Sequence, residues 1–210
     1  MRKVLMGPLV LILGLGMTSS AEGQVAVGVK GGINIADIAI EADGADEPTN
    51  SRTGVLAAGV VAYTVHPWLS FQLEGRYSQQ GAVQPQGDGI DALLRLSYAQ
   101  VPLTAKLLLP TGGIVQPYLY AGGFVSFEVA CSLMAVGMGV SLDIGCDEAE
   151  DRGKSDYGVI FGAGSDLAVG PGAVTLDVEY AVGLRDISDN LPGTAYHRVL
   201  SIAAGFKVFL

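Results

Sequence analysis

Residues 69–82 read LSFQLEGRYSQQGA. Leu69, Phe71, Leu73, Gly75 and Tyr77 hold the odd positions, and Ser70, Gln72, Glu74, Arg76 and Ser78 the even ones. Successive side chains of a strand point to opposite faces, so this is a strand with one apolar and one polar face. The polar face carries a carboxylate and a guanidinium. The fold turns on which face lies inside. A soluble barrel or sandwich would turn the apolar face inward, whereas a membrane barrel would turn it to lipid and fill its lumen with the charges.

The same alternation recurs on both sides of this stretch. It predicts eight strands, near residues 25–36, 54–65, 69–82, 92–108, 115–129, 156–167, 173–184 and 197–210. In the first, Val25, Val27, Val29 and Ile33 oppose Lys30 and Asn34. In the fifth, Leu119, Val125 and Phe127 oppose Tyr118, Tyr120 and Glu128. In the fourth, Leu94, Leu96 and Tyr98 oppose Arg95, but further on Val101, Leu103 and Leu107 oppose Lys106. That change of parity predicts a bulge at 99–102, where Pro102 has no N–H to give to a ladder. The connections alternate in length. Polar loops at 37–53, 83–91, 130–155 and 185–196 alternate with short turns at 66–68, 110–113 and 168–172. The expected architecture is all-β: an eight-stranded antiparallel up-and-down transmembrane barrel with four long outer loops and three short periplasmic turns.

Ten charges fall opposite the apolar faces: Lys30, Glu74, Arg76, Arg95, Lys106, Glu128, Asp166, Asp177, Glu179 and Lys207, five of each sign. An apolar core would not hold them, because an unpaired buried charge is very costly. A narrow lumen holds them as a network of ion pairs, with Arg76 expected to meet Glu74 or Glu128. Small residues beside them, such as Gly28, Gly158 and Gly162, leave room for long side chains. Tyr63, Trp68, Tyr180, Phe206 and Phe209, with Tyr98 and Tyr157, lie near strand ends as interface aromatics. The competing arrangement is a soluble barrel with a greasy interior and its charges outside.

Composition agrees with the membrane reading. Half of the 210 residues are apolar, only 16% are charged, and mean hydropathy is +0.42. No internal run supplies the ~20 apolar residues of a spanning helix. Arg2 and Lys3, an apolar run at 4–17 and small residues before Gln24 form the three parts of a secretory signal peptide, residues 1–23, with cleavage after Ala21 or Gly23. Residues 24–210 form the barrel domain. An anchor helix is the other reading of the leader, for which the run is short. The formal charge of −9 argues against nucleic acid as a partner. Cys131 and Cys146, 15 positions apart, either form a disulfide in an oxidising compartment or remain two thiols.

Several stretches are similar to those of the "outer membrane protein beta-barrel domain" family, the small porin-like barrels common in Bacteroidetes. They are Gly28-Val29-Lys30-Gly31-Gly32-Ile33-Asn34, residues 73–81 (LEGRYSQQG), Val101-Pro102-Leu103, Pro117-Tyr118-Leu119 with Ala121-Gly122-Gly123, and residues 179–184 (EYAVGL). The chain ends on Leu210, with Phe209 one position in, where such barrels usually end on an aromatic. The resemblance implies a bacterial outer-membrane location and this fold, and little about activity.

The function expected is that of a non-enzymatic outer-membrane barrel, structural or porin-like, with a lumen plugged by ion pairs. Its expected partners are outer-membrane lipid and the barrel assembly machinery, and it is expected to be a monomer. No cofactor is expected, and no loop has the Asp-x-Asp-x-Asp-Gly spacing of a calcium site. One alternative is an outer-membrane lipid hydrolase, for which His197 near Ser201 and Glu179 is the candidate trio. Another is a soluble periplasmic lipocalin-like binder.

Overall fold

A computed structural model of the chain describes residues 24–42, 45–47, 50–85, 91–137, 140–145, 155–185 and 194–210, with side chains described for 24–36, 51–81, 96–132, 155–185 and 197–210. The expected signal peptide, Cys146 and the Arg95 side chain lie outside these residues. The strands are β1 (Gln24–Ala42), β2 (Ala45–Glu47), β3 (Asn50–His66), β4 (Leu69–Pro85), β5 (Asp91–Leu108), β6 (Val115–Gly137), β7 (Val140–Gly145), β8 (Ser155–Val169), β9 (Gly172–Gly183) and β10 (Thr194–Phe209).

Eight of them form the barrel. The antiparallel order is β10-β9-β8-β6-β5-β4-β3-β1, and β1 closes the ring by pairing with β10 from Ala26↔Phe209 to Glu41↔Thr194. Closure leaves no strand edge within the wall. Strands β2 and β7 are additions, β2 paired with β1 and β7 with β6. Tight connections at Pro67-Trp68, 109–114 and Gly170-Pro171 mark one end, the turn end. Gly112 and Gly170 adopt φ of 68° and 58° there, a backbone region costly for other residues.

The wall is apolar outside and polar inside. Val29, Ile33, Val55, Val61, Leu73, Leu103, Leu119, Leu176, Val178 and Ile202 are exposed on the outer face. The inner face buries Lys30, Asn34, Gln72, Glu74, Arg76, Thr104, Lys106, Asp166, Asp177 and Glu179. A soluble barrel would have the opposite arrangement, so the greasy-interior alternative does not describe this chain.

Three expectations need correction. Parts of the polar stretches read as loops are strand: β1 runs on to Ala42, β4 to Pro85 and β6 to Gly137, and β6 pairs with β7 from Ser132↔Gly145 to Gly137↔Val140. A strand needs only about 9–11 residues to cross a bilayer, while β6 has 23, so the ribbons continue past the apolar band. Beyond that band the outer face no longer has to be apolar, and the alternating signal fades.

The expected bulge at 99–102 is absent, and Leu96 and Tyr98 do not face lipid. Both are buried on the inner face, on the same parity as Gln100, Thr104 and Lys106. The irregularity lies nearer the loop end, where Ser97↔Ala130 is followed by Tyr98↔Glu128 and Val129 is the extra residue on β6. Pro102 instead interrupts the β4–β5 ladder without shifting it, since Leu73↔Leu103 and Arg76↔Gln100 share one register. A missing N–H removes a bond but inserts no residue. Tyr98, 7% exposed, is therefore not part of an outer aromatic girdle.

Candidate functional site in the barrel interior

The even positions of β4 and the odd positions of β9 face each other across the barrel, and the interior is built on them. Arg76 lies at the centre. Its Nη2 donates to Glu74 Oε2 at 2.8 Å, and its Nη1 and Nη2 donate to Glu179 Oε1 and Oε2 at 2.5 and 2.9 Å. A planar guanidinium fork suits this two-point contact. Glu74 also pairs with Lys30 at 2.7 Å, and Gln72 Nε2 donates to it at 2.6 Å. Lys30 reaches Asp177 at 3.5 Å, and Asp177 accepts from the Tyr118 hydroxyl at 2.5 Å. The Tyr120 hydroxyl donates to Glu179 at 3.3 Å. A connected polar layer thus spans the interior from β1 to β9.

Toward the turn end Lys207 pairs with Asp166 at 2.5 Å. Lys106, only 2% exposed, sets its ammonium 4.1 Å from the centroid of the Tyr118 ring and 5.4 Å from that of Tyr120. It is thus held by aromatic faces rather than by one of these ion pairs. Around Asn34, toward the loop end, the contacts are neutral. Asn34, fully buried, donates to Ser78 Oγ at 2.8 Å and to the Gln79 carbonyl at 3.2 Å, and accepts from Ser201 Oγ at 2.8 Å.

Space for these groups comes from small residues. Gly158, Gly162 and Gly164 of β8 lie beneath the rings of Phe124, Tyr120 and Tyr118, where a Cβ would strike the ring. Tyr118, Tyr120, Phe124, Ile160 and Leu108 form an apolar cluster inside. Two small interior cavities, one at each end of the charged layer, are lined by described residues and have free volumes of about 10 Å³ each, near the minimum for a single water.

Of the ten expected lumen charges, the structure joins Lys30, Glu74, Arg76, Asp177 and Glu179 in one network and Asp166 with Lys207 in another pair. Glu128 is half-buried near the loop end, and Arg76 meets Glu179 rather than Glu128. The tyrosines that complete the network were on the inner parity, but nothing in their spacing named their carboxylate partners. Cys131 is disulfide-bonded. Among the aromatics, Tyr63, Trp68 and Phe206 are exposed on the outer wall toward the turn end, Phe209 is half-buried with Lys207 5.7 Å from its ring centroid, and Tyr180 packs on Phe161 at 5.4 Å. Tyr77, Phe127 and Tyr157 add exposed rings nearer the loop end.

The Ser-His-Glu trio is not assembled. Ser201 gives its hydroxyl to Asn34, Glu179 is held by Arg76 and Tyr120, and neither ring nitrogen of His197 has a hydrogen-bond partner. A nucleophile must reach its base before it can be activated.

The family model described as "Outer membrane protein beta-barrel domain" matches residues 18–189. No curated protein matches the chain. Similar solved structures include Neisserial surface protein A (18% identity, 89% of this chain and 99% of that chain, TM-score 0.48) and OprG from Pseudomonas aeruginosa (14%, 90% and 98%, 0.48). The attachment invasion locus protein Ail of Yersinia pestis is another (15%, 89% and 99%, 0.41).

Proposed function

The chain belongs to the outer membrane protein beta-barrel domain family, a family of the bacterial outer membrane, and from that premise we propose that it is a non-enzymatic barrel with a closed lumen. Its role is then structural, carried by the lipid-facing wall and by the ribbons that continue past it at the loop end. It acts as a monomer in outer-membrane lipid, placed there by the barrel assembly machinery.

One observation carries this reading: the layer Lys30–Glu74–Arg76–Glu179 crosses the interior with its members 3–8% exposed. An eight-stranded barrel is only wide enough for side chains to fill. Opening a path would separate buried charges, each of which would then need a new partner. The hydrolase reading lacks its triad geometry.

Purified barrel in a planar bilayer tests the proposal. The expected record has no sustained conductance steps, and large steady steps would return the porin reading. A parallel ester assay is expected to find no turnover. Turnover that disappears in His197→Ala would make the chain an enzyme.

A further inference from the structure

The rim of the barrel is uneven at the loop end. Past the apolar band β4 stays paired with β5 as far as Pro85↔Asp91, and β5 with β6 as far as Asp91↔Val136. On its other side β6 changes partner. β8 accompanies it to Phe127↔Ser155, and β7 takes the same lane higher up, from Ser132↔Gly145 to Gly137↔Val140, without a shift of register. Strands β4, β5, β6 and β7 thus form a sheet that stands above the wall.

β7 is the edge of that sheet. The next strand round the ring is β9, the shortest of the eight with 12 residues, and it ends at Gly183 opposite Gly158 of β8. It does not rise to the height of β7. Among the described residues β7 therefore has a ladder with β6 and none on its far side. Backbone groups of alternate residues in an antiparallel strand point to opposite sides, so about half of the N–H and C=O groups of β7 face away from the sheet. An open edge is a template for another strand, which proteins commonly block with Pro or Lys. Residues 140–145 read VSLDIG and contain neither.

Charge selects what such an edge accepts. Residues 143–151 carry Asp143, Asp147, Glu148, Glu150 and Asp151 and no Lys or Arg. Opposite charges across a strand pair stabilise it and like charges oppose it. A second copy of the chain would set this acidic tract against itself, whereas a cationic strand would complement it.

We propose that the free edge of β7 takes up an extended, Lys- or Arg-rich segment of another protein as an added β-strand. Main-chain hydrogen bonds hold the segment, and the acidic tract selects it. The proposal does not depend on whether the lumen conducts.

The test is titration of folded barrel, in nanodiscs of zwitterionic lipid, with a peptide of alternating Val and Lys. Hydrogen exchange follows the amides of Val140–Gly145. In the free barrel alternate amides of β7 should exchange freely, and the peptide should protect them. An alternating Val-Glu peptide should not bind. Neither should a Val-Lys peptide with N-methylated amides, which keeps the charge and loses the donors. Asp143→Lys, its folding checked by heat-modifiable gel migration, should weaken binding roughly tenfold or more, while Gly59→Ala on the wall of β3 leaves it unchanged. No binding of the Val-Lys peptide, equal binding of its N-methylated form, or β7 amides that are all protected before peptide is added overturns the proposal. Dimerisation that protects the same amides, read by sedimentation, also overturns it and makes a second copy the occupant.

Discussion

Arg76 on β4 and Glu179 on β9 meet through two contacts across the barrel, although 103 residues separate them in sequence. The contact ties the two halves of the ring together through its middle, as backbone pairing alone does not.

Glu179→Leu removes one side of this contact and leaves Arg76 with Glu74 alone. Breaking a buried pair costs about 3–5 kcal/mol, and the remaining Glu74 places the expected loss at the lower end. Arg76→Met with Glu179→Leu leaves Lys30 and Glu74 paired and should be more stable than the single variant. Urea unfolding in lipid vesicles compares the two. Equal stabilities would mean that Arg76 costs nothing once Glu179 is gone, against this expectation.

Gly162→Val should displace Tyr120, whose ring occupies the space above that glycine. Overpacking of this kind costs about 1–3 kcal/mol, and it also withdraws the hydroxyl that serves Glu179. Gly59→Ala is the control, since nothing lies within 4 Å of a Cβ there. Unfolding midpoints of both variants, relative to the parent, check the difference.

Leu73→Arg should cost roughly 2–4 kcal/mol if the residue sits at mid-bilayer, because Leu73 is 48% exposed on the outer wall. The same unfolding assay reads this change. A harmless substitution would place Leu73 away from the bilayer centre.

Much of the barrel was legible along the chain. The Leu69-to-Ser78 alternation named the outward set Phe71, Leu73 and Tyr77 and the inward set Gln72, Glu74 and Arg76, and the structure keeps both. Period two is a local property of extended backbone, so a strand between lipid and a polar lumen must show it. The signal weakened where that contrast ends. Leu96 and Tyr98 looked lipid-facing because both are apolar, yet the interior also buries apolar side chains, Ile160 and Val199 among them.

The sequence by itself therefore determined the eight barrel strands and the polarity of the wall, because both follow from side-chain direction along a single strand. Only the tertiary structure decided that Arg76 grips Glu179 rather than Glu128 and that Lys106 rests on tyrosine rings. Those contacts depend on how strands are staggered around a closed ring. Stagger is set by all the ladders together and leaves no trace in the alternation of any one strand.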